Sequence, residues 1–165
     1  MTGAPTATAS TTAAATATTT AAEDPVLARI PAAARPETRE GAEAFAAFFL
    51  ESLNTAARTP DPTVLDGLFL RACETCVAMR DSVADLTRLG RKHTADSVRV
   101  KGTDPIVFTD QRRAVRVEIE QIAVDVTDKW GRTAYRTEAG TFSFAVTMVY
   151  RSGQWTVTKL QTIAS

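Results

Sequence analysis

The spacing of apolar side chains changes once along this chain, and that change constrains its fold more than any other feature. Up to about Asp96 the apolar residues recur every three or four positions, and beyond it they recur every two. Helical periodicity followed by strand periodicity does not suit a parallel βαβ arrangement, in which the two alternate. It suits helices packed on one face of an antiparallel sheet, an α+β domain.

In the helical part, Thr38 offers an N-cap oxygen ahead of Glu40 and Glu43, and Ala42, Phe45, Ala46, Phe49, Leu53 and Ala56 form one apolar stripe. This helix ends near Arg58, at Thr59-Pro60-Asp61-Pro62. A short second helix is expected over residues 63–70, presenting Val64, Leu65, Leu68 and Phe69. A third starts at Cys73 or Glu74, is lined by Cys76, Met79, Val83, Leu86 and Leu89, and stops at Gly90. Ile30 to Pro36 is bracketed by prolines and reads as extended or turn-like.

In the strand part, Val98 and Val100 make a short strand, and Val115, Val117 and Ile119 alternate with charged residues. The apolar parity then moves to even numbers at Ile122, Val124 and Val126, so a β-bulge is expected near Glu120-Gln121. Lys129-Trp130-Gly131 is a turn. Phe142, Phe144, Val146, Met148 and Tyr150 form the longest strand, joined through a Ser152-Gly153 hairpin turn to Trp155, Val157 and Leu160. Three helices against a bent antiparallel sheet enclose an apolar interior, a cone.

Residues 2–22 are Ala, Thr, Ser, Gly and Pro, with no large apolar residue before Val26 and Leu27. Such a stretch cannot offset its ordering entropy by burial, so residues 1–24 read as a disordered tether and residues 25–165 as one domain. The formal net charge is zero, which offers no basic stripe to a phosphate backbone and argues against nucleic acid as a partner. No apolar run is long enough to span a bilayer, and the N-terminus lacks the basic start and apolar core of a signal peptide.

Cys73-Glu74-Thr75-Cys76 is the one compact constellation, and four readings fit it. A structural disulfide would lock the junction before the third helix and imply an oxidising compartment. A thiol–disulfide redox centre would use Cys73 at the helix N-terminus, although no strand precedes it. Two buried free thiols, or a zinc site completed by His93, the only histidine, and a carboxylate, are the others.

Ile30-Pro31-Ala32-Ala33-Ala34-Arg35, Gly41-Ala42-Glu43-Ala44-Phe45, Leu53-Asn54 and Cys73-x-x-Cys76 together resemble a family of secreted actinobacterial lipoproteins of unknown function. The Tyr150-Arg-Ser-Gly-Gln-Trp155 hairpin and the helix-then-sheet order are similar to the nuclear-transport-factor-2-like cone. The resemblance implies that fold, a removed signal peptide, and membrane attachment through a lipidated cysteine upstream of Thr2, which this sequence does not contain. One departure stands out: cone relatives often insert a strand pair between the second and third helices, and Phe69 and Cys73 are too close for one.

Cone folds host isomerases and cyclases as well as binding modules, so fold alone leaves function open. A proton-transfer site would need an acid facing the interior, and Asp125, Asp128, Tyr135 and Tyr150 are the candidates near the sheet. Asp125 has the parity that faces out, Tyr150 reads as packing against Trp155, and His93 reads as a solvated residue after the third helix. No phosphate loop, nucleophile elbow or zinc-protease helix is present. The sequence therefore points to a non-catalytic extracytoplasmic lipoprotein domain, requiring no cofactor or metal, that binds a small apolar ligand or a protein partner. Trp130, Tyr150 and Trp155 are its candidate contact residues. A small cone-fold enzyme of isomerase or cyclase type and a thiol–disulfide redox protein using Cys73 and Cys76 are the alternatives.

Overall fold

The computed structural model describes Gly3 and residues 24–164. The tether expected over residues 1–24 therefore lies almost wholly outside the described residues. Three α-helices, α1 (Pro25–Arg29), α2 (Arg39–Arg58) and α3 (Glu74–Leu89), precede seven strands. These are β1 (Lys92–His93), β2 (Val98–Phe108), β3 (Arg113–Gln121), β4 (Asp125–Thr127), β5 (Thr133–Arg136), β6 (Gly140–Arg151) and β7 (Gln154–Ile163). The fold is α+β: β2-β3-β6-β7 form one antiparallel sheet, and β1-β4-β5 form a second, smaller one.

Helix α2 forms as its sequence dictates. Thr38 Oγ1 accepts from Gly41 N at 3.0 Å, and Phe45, Ala46, Phe49 and Leu50 turn a fully buried stripe onto the large sheet. The sheet answers with Val115, Val117, Phe144, Val146, Met148, Trp155 and Val157, all buried. Helix α3 ends on Gly90 in the left-handed conformation (φ 62°), and Ser152 and Gly153 both take positive φ (52° and 80°), as a two-residue primed hairpin turn requires.

The structure departs from the sequence reading in several places. Residues 63–70 are not a helix. A single 3-10 turn, Pro62–Leu65, gives way at Gly67 (φ 80°) to an extended segment beside β7, with Val157 N donating to Leu68 O (2.9 Å) and Leu70 N to Val157 O (2.8 Å). That segment covers the edge of β7, where open backbone groups would otherwise be exposed. The third α-helix of the fold is instead α1, five residues of which only Val26 and Leu27 pack, partly buried, against the core.

The parity change after Glu120 is not a bulge either. The chain leaves the large sheet at Gln121 and re-enters in the small one at Asp125, so two different sheets set the two parities. The register irregularities lie elsewhere: in β2 between Val100 and Gly102 and between Pro105 and Val107, in β7 opposite Thr147 and Met148, and in β5 opposite Val126 and Thr127. β2 is accordingly a long bent strand rather than a short one. Phe142, with core parity, is 38% exposed, one residue before the pairing of β6 with β7 begins at Ser143.

Candidate functional site

Cys73 and Cys76 are joined by a disulfide at the N-terminus of α3, and no free cysteine remains. Cys73 caps the helix, its Sγ accepting from Cys76 N at 3.3 Å. Both are buried, at 1% and 0% exposure, among Phe49, Leu68 and the sheet residues. A redox centre needs an accessible attacking sulfur, and neither sulfur is at the surface.

The other expected contact residues separate. Trp155 is fully buried, and its Nε1 donates to Pro36 O at 2.8 Å, so it serves the core and has no surface to offer. Tyr150 packs edge-on against it with ring centroids 5.0 Å apart. Trp130 is 68% exposed on the β4–β5 turn. Asp125 faces outward, paired with Arg136 at 2.9 Å. Asp128 is occupied with its own turn, accepting from Trp130 N and Arg132 N.

Phe45, Ala46, Phe49 and Leu50 of α2 are buried in one cluster with the facing residues of the large sheet. Space opens at the other end of α2, where a cleft of about 450 Å³ lies between α2, α3 and the ends of both sheets. Leu53, Met79, Val83 and Leu86 supply its apolar walls, with Ser82, His93, Ser97, Gln121, Tyr135 and Thr137 around the rim. That volume falls in the range of small-molecule pockets, and the mixture of apolar wall and few polar groups is what such pockets share. A larger groove of about 1040 Å³ runs past Arg58, Asp96 and Arg99. Its lining mixes Val98, Ile122 and Val124 with charged residues, and its cations are already paired, Arg58 with Asp96 at 3.1 Å and Arg99 with Glu120 at 3.0 Å.

Within the cleft, His93 departs from the solvated residue expected at the end of α3. It is half-buried, with Nδ1 3.2 Å from Ser97 Oγ, and burial lowers its pKa below the ordinary imidazole value of 6.5. The neutral ring is the form present at pH 7. Ser97 is held by Asn54, whose Oδ1 accepts from Ser97 N (3.0 Å) and Val98 N (2.9 Å) while Nδ2 donates to Val98 O (2.7 Å). Asn54 thus fixes the start of β2, and with it one side of the cleft, to α2. At the rim, Arg91 stacks over Tyr135, its guanidinium carbon 5.8 Å from the ring centroid.

No carboxylate lines the cleft. Among the described residues the buried polar side chains are Ser52, Asn54, Ser97 and Ser143, and no cluster of metal-ligating groups occurs. Sequence reasoning missed His93 and Ser97 as cleft residues, since nothing in their neighbours indicates that Tyr135 and α3 close over them.

The family model described as Family of unknown function (DUF6318) matches residues 11–161. The chain belongs to that family. No curated protein matches it in sequence. Among solved structures, the intermembrane space region of the chloroplast protein ARC6 is similar at 13% identity and a TM-score of 0.59, covering 78% of this chain and 98% of that one. Aln2 from a Streptomyces species is similar at 15% identity and a TM-score of 0.47, over 77% of this chain and 91% of that one. The fold is the α+β cone of the nuclear-transport-factor-2-like class, and at these identities the likeness extends to fold alone.

Proposed function

We propose that this member of the family is a non-catalytic, extracytoplasmic binding module whose cleft takes a small apolar molecule. The observation that carries the reading is the lining of the cleft: apolar side chains from α2 and α3, a neutral imidazole, and no carboxylate. Proton-transfer chemistry of the isomerase type needs an acid or base facing a bound carbon acid. His93 is the one titratable group of suitable range there, and no second group stands opposite it to share the work. Redox use of the cysteines has the burial of Cys73 against it.

A buried disulfide in a domain large enough to fold without one favours an oxidising compartment. Together with the Ala/Thr composition of residues 2–22, it supports a domain held outside the cytoplasm on a tether, with a lipid anchor preceding it.

The test is a titration with N-phenyl-1-naphthylamine, a neutral apolar fluorophore. The wild-type chain is expected to bind it saturably at one site, Ser82→Trp to fill the cleft and lose the binding, and Ile106→Ser, exposed at the opposite end of β2, to retain it. Equal binding by all three, or none by the wild type, would sink the proposal.

A further inference from the structure

The tip of the β4–β5 hairpin, residues 128–132, carries a feature the cleft does not use. Trp130, at 68%, is the most exposed large apolar side chain among the described residues. The turn beneath it is built rather than loose. The Asp128 carboxylate accepts from Trp130 N at 2.9 Å, from Arg132 N at 3.0 Å and from Arg132 Nε at 3.0 Å, and Gly131 closes the turn at φ 78°. Partial desolvation pushes the Asp128 pKa up, but the bonds from Arg132 and Trp130 outweigh it and hold the pKa below its ordinary value.

The indole is flanked by two cations, with Lys129 Nζ 4.5 Å and the Arg132 guanidinium carbon 4.9 Å from the ring centroid. Two more stand beside the turn. Lys92 pairs with Thr127 across the β1–β4 ladder, and Arg91, Lys92 and Lys129 line one depression together. Two cations therefore flank one exposed indole and two more line the adjoining depression, with Asp128 the one carboxylate there, on a chain whose net charge is zero. Arg91, Lys92 and Lys129 enter no ion pair among the described residues.

We propose that this tip docks on an anionic lipid surface, with Trp130 seated at headgroup level and Arg91, Lys92 and Lys129 facing the phosphates. An amphipathic indole among Lys and Arg is the composition that bilayer interfaces favour, and the positive charge complements an acidic leaflet. A stable protein interface would need roughly 800 Å² from this side. A single turn offers far less than that. The assignment does not depend on the cleft reading, and the two fail separately.

The experiment mixes the full chain with vesicles of phosphatidylcholine alone and with vesicles containing anionic phosphatidylglycerol, at low salt, and reads co-sedimentation and tryptophan emission. Trp155 is already buried, so a blue shift reports Trp130. Anionic vesicles should bind at least about tenfold more protein, with the shift, and binding should fall as salt screens the charges. At about fivefold per unit charge, Lys129→Glu should weaken binding on the order of 25-fold. Trp130→Ala should abolish the shift and weaken binding without altering thermal stability. Equal binding to both vesicles, an indole that stays in water when the protein is bound, or indifference to Lys129→Glu would overturn the proposal. Binding to neither vesicle would also overturn it, and would leave the tip to a protein partner.

Discussion

Asn54→Ala removes a side chain that satisfies three backbone groups at the start of β2: Ser97 N, Val98 N and Val98 O. The bond to Ser97 N is buried, and the two at Val98 are partly so. An unpaired buried backbone group costs about 1–3 kcal/mol, less where water can reach it. Taking about 2 kcal/mol for Ser97 and about 1 kcal/mol for each group on Val98 gives about 4 kcal/mol. For a domain of this size that is about 10 °C in Tm. Urea unfolding followed through the buried Trp155 measures it. Asn54→Asp sharpens the test, because it keeps both acceptor roles but sets a carboxylate oxygen against Val98 O. Protonation restores a donor there, so the folded pKa of the new carboxyl lies above its unfolded value. The stabilisation from the restored bond is then complete below the unfolded value and lost as pH rises through the folded one. A loss below about 1 kcal/mol for Asn54→Ala, the size expected of an exposed polar residue, would refute this account of what holds the cleft wall.

The His93 pKa is depressed by burial, so the unfolded chain binds the proton more readily. Stability from this residue is intact above pH 6.5, declines as pH falls toward the lower folded value, and levels off beneath it; NMR titration of the single imidazole reads the shift, and His93→Gln should flatten the decline. A Cβ on Gly41 would collide with the Pro36 carbonyl oxygen that Trp155 uses, so Gly41→Ala should destabilise by about 3 kcal/mol in urea. Replacing both Cys73 and Cys76 by Ala should cost about 2 kcal/mol, the chain-entropy value for so short a loop, and leave the fold and the fluorophore binding in place.

Much of the architecture was legible because it rests on local chemistry. The Thr38 cap, the stripe from Ala42 to Ala56, the Gly90 stop and the Ser152-Gly153 turn each declare themselves within a few residues. The short motifs that carried the family resemblance have structural roles. Ile30 and Phe45 are buried, Gly41 admits the Pro36 carbonyl, Asn54 pins β2, and Cys73 and Cys76 are bonded.

What the sequence concealed depends on distant partners. Val64, Leu65, Leu68 and Phe69 have helical spacing, yet the open edge of β7 captures residues 68–70 by hydrogen bonds that no local pattern encodes. β1, β4 and β5 have two, three and four residues, too few to show a period, so the small sheet appeared only as a change of parity. With that sheet unseen, the cleft it closes was unseen as well, and His93 looked like a surface residue.

The most direct measurement of the central claim is an NMR titration of the protein with N-phenyl-1-naphthylamine. The account predicts shifts concentrated on the His93 ring, the Met79 and Val83 methyl groups and the Tyr135 ring, saturating together at one equivalent. Shifts centred on Ile106 at the far end of β2, or none that saturate, would contradict it.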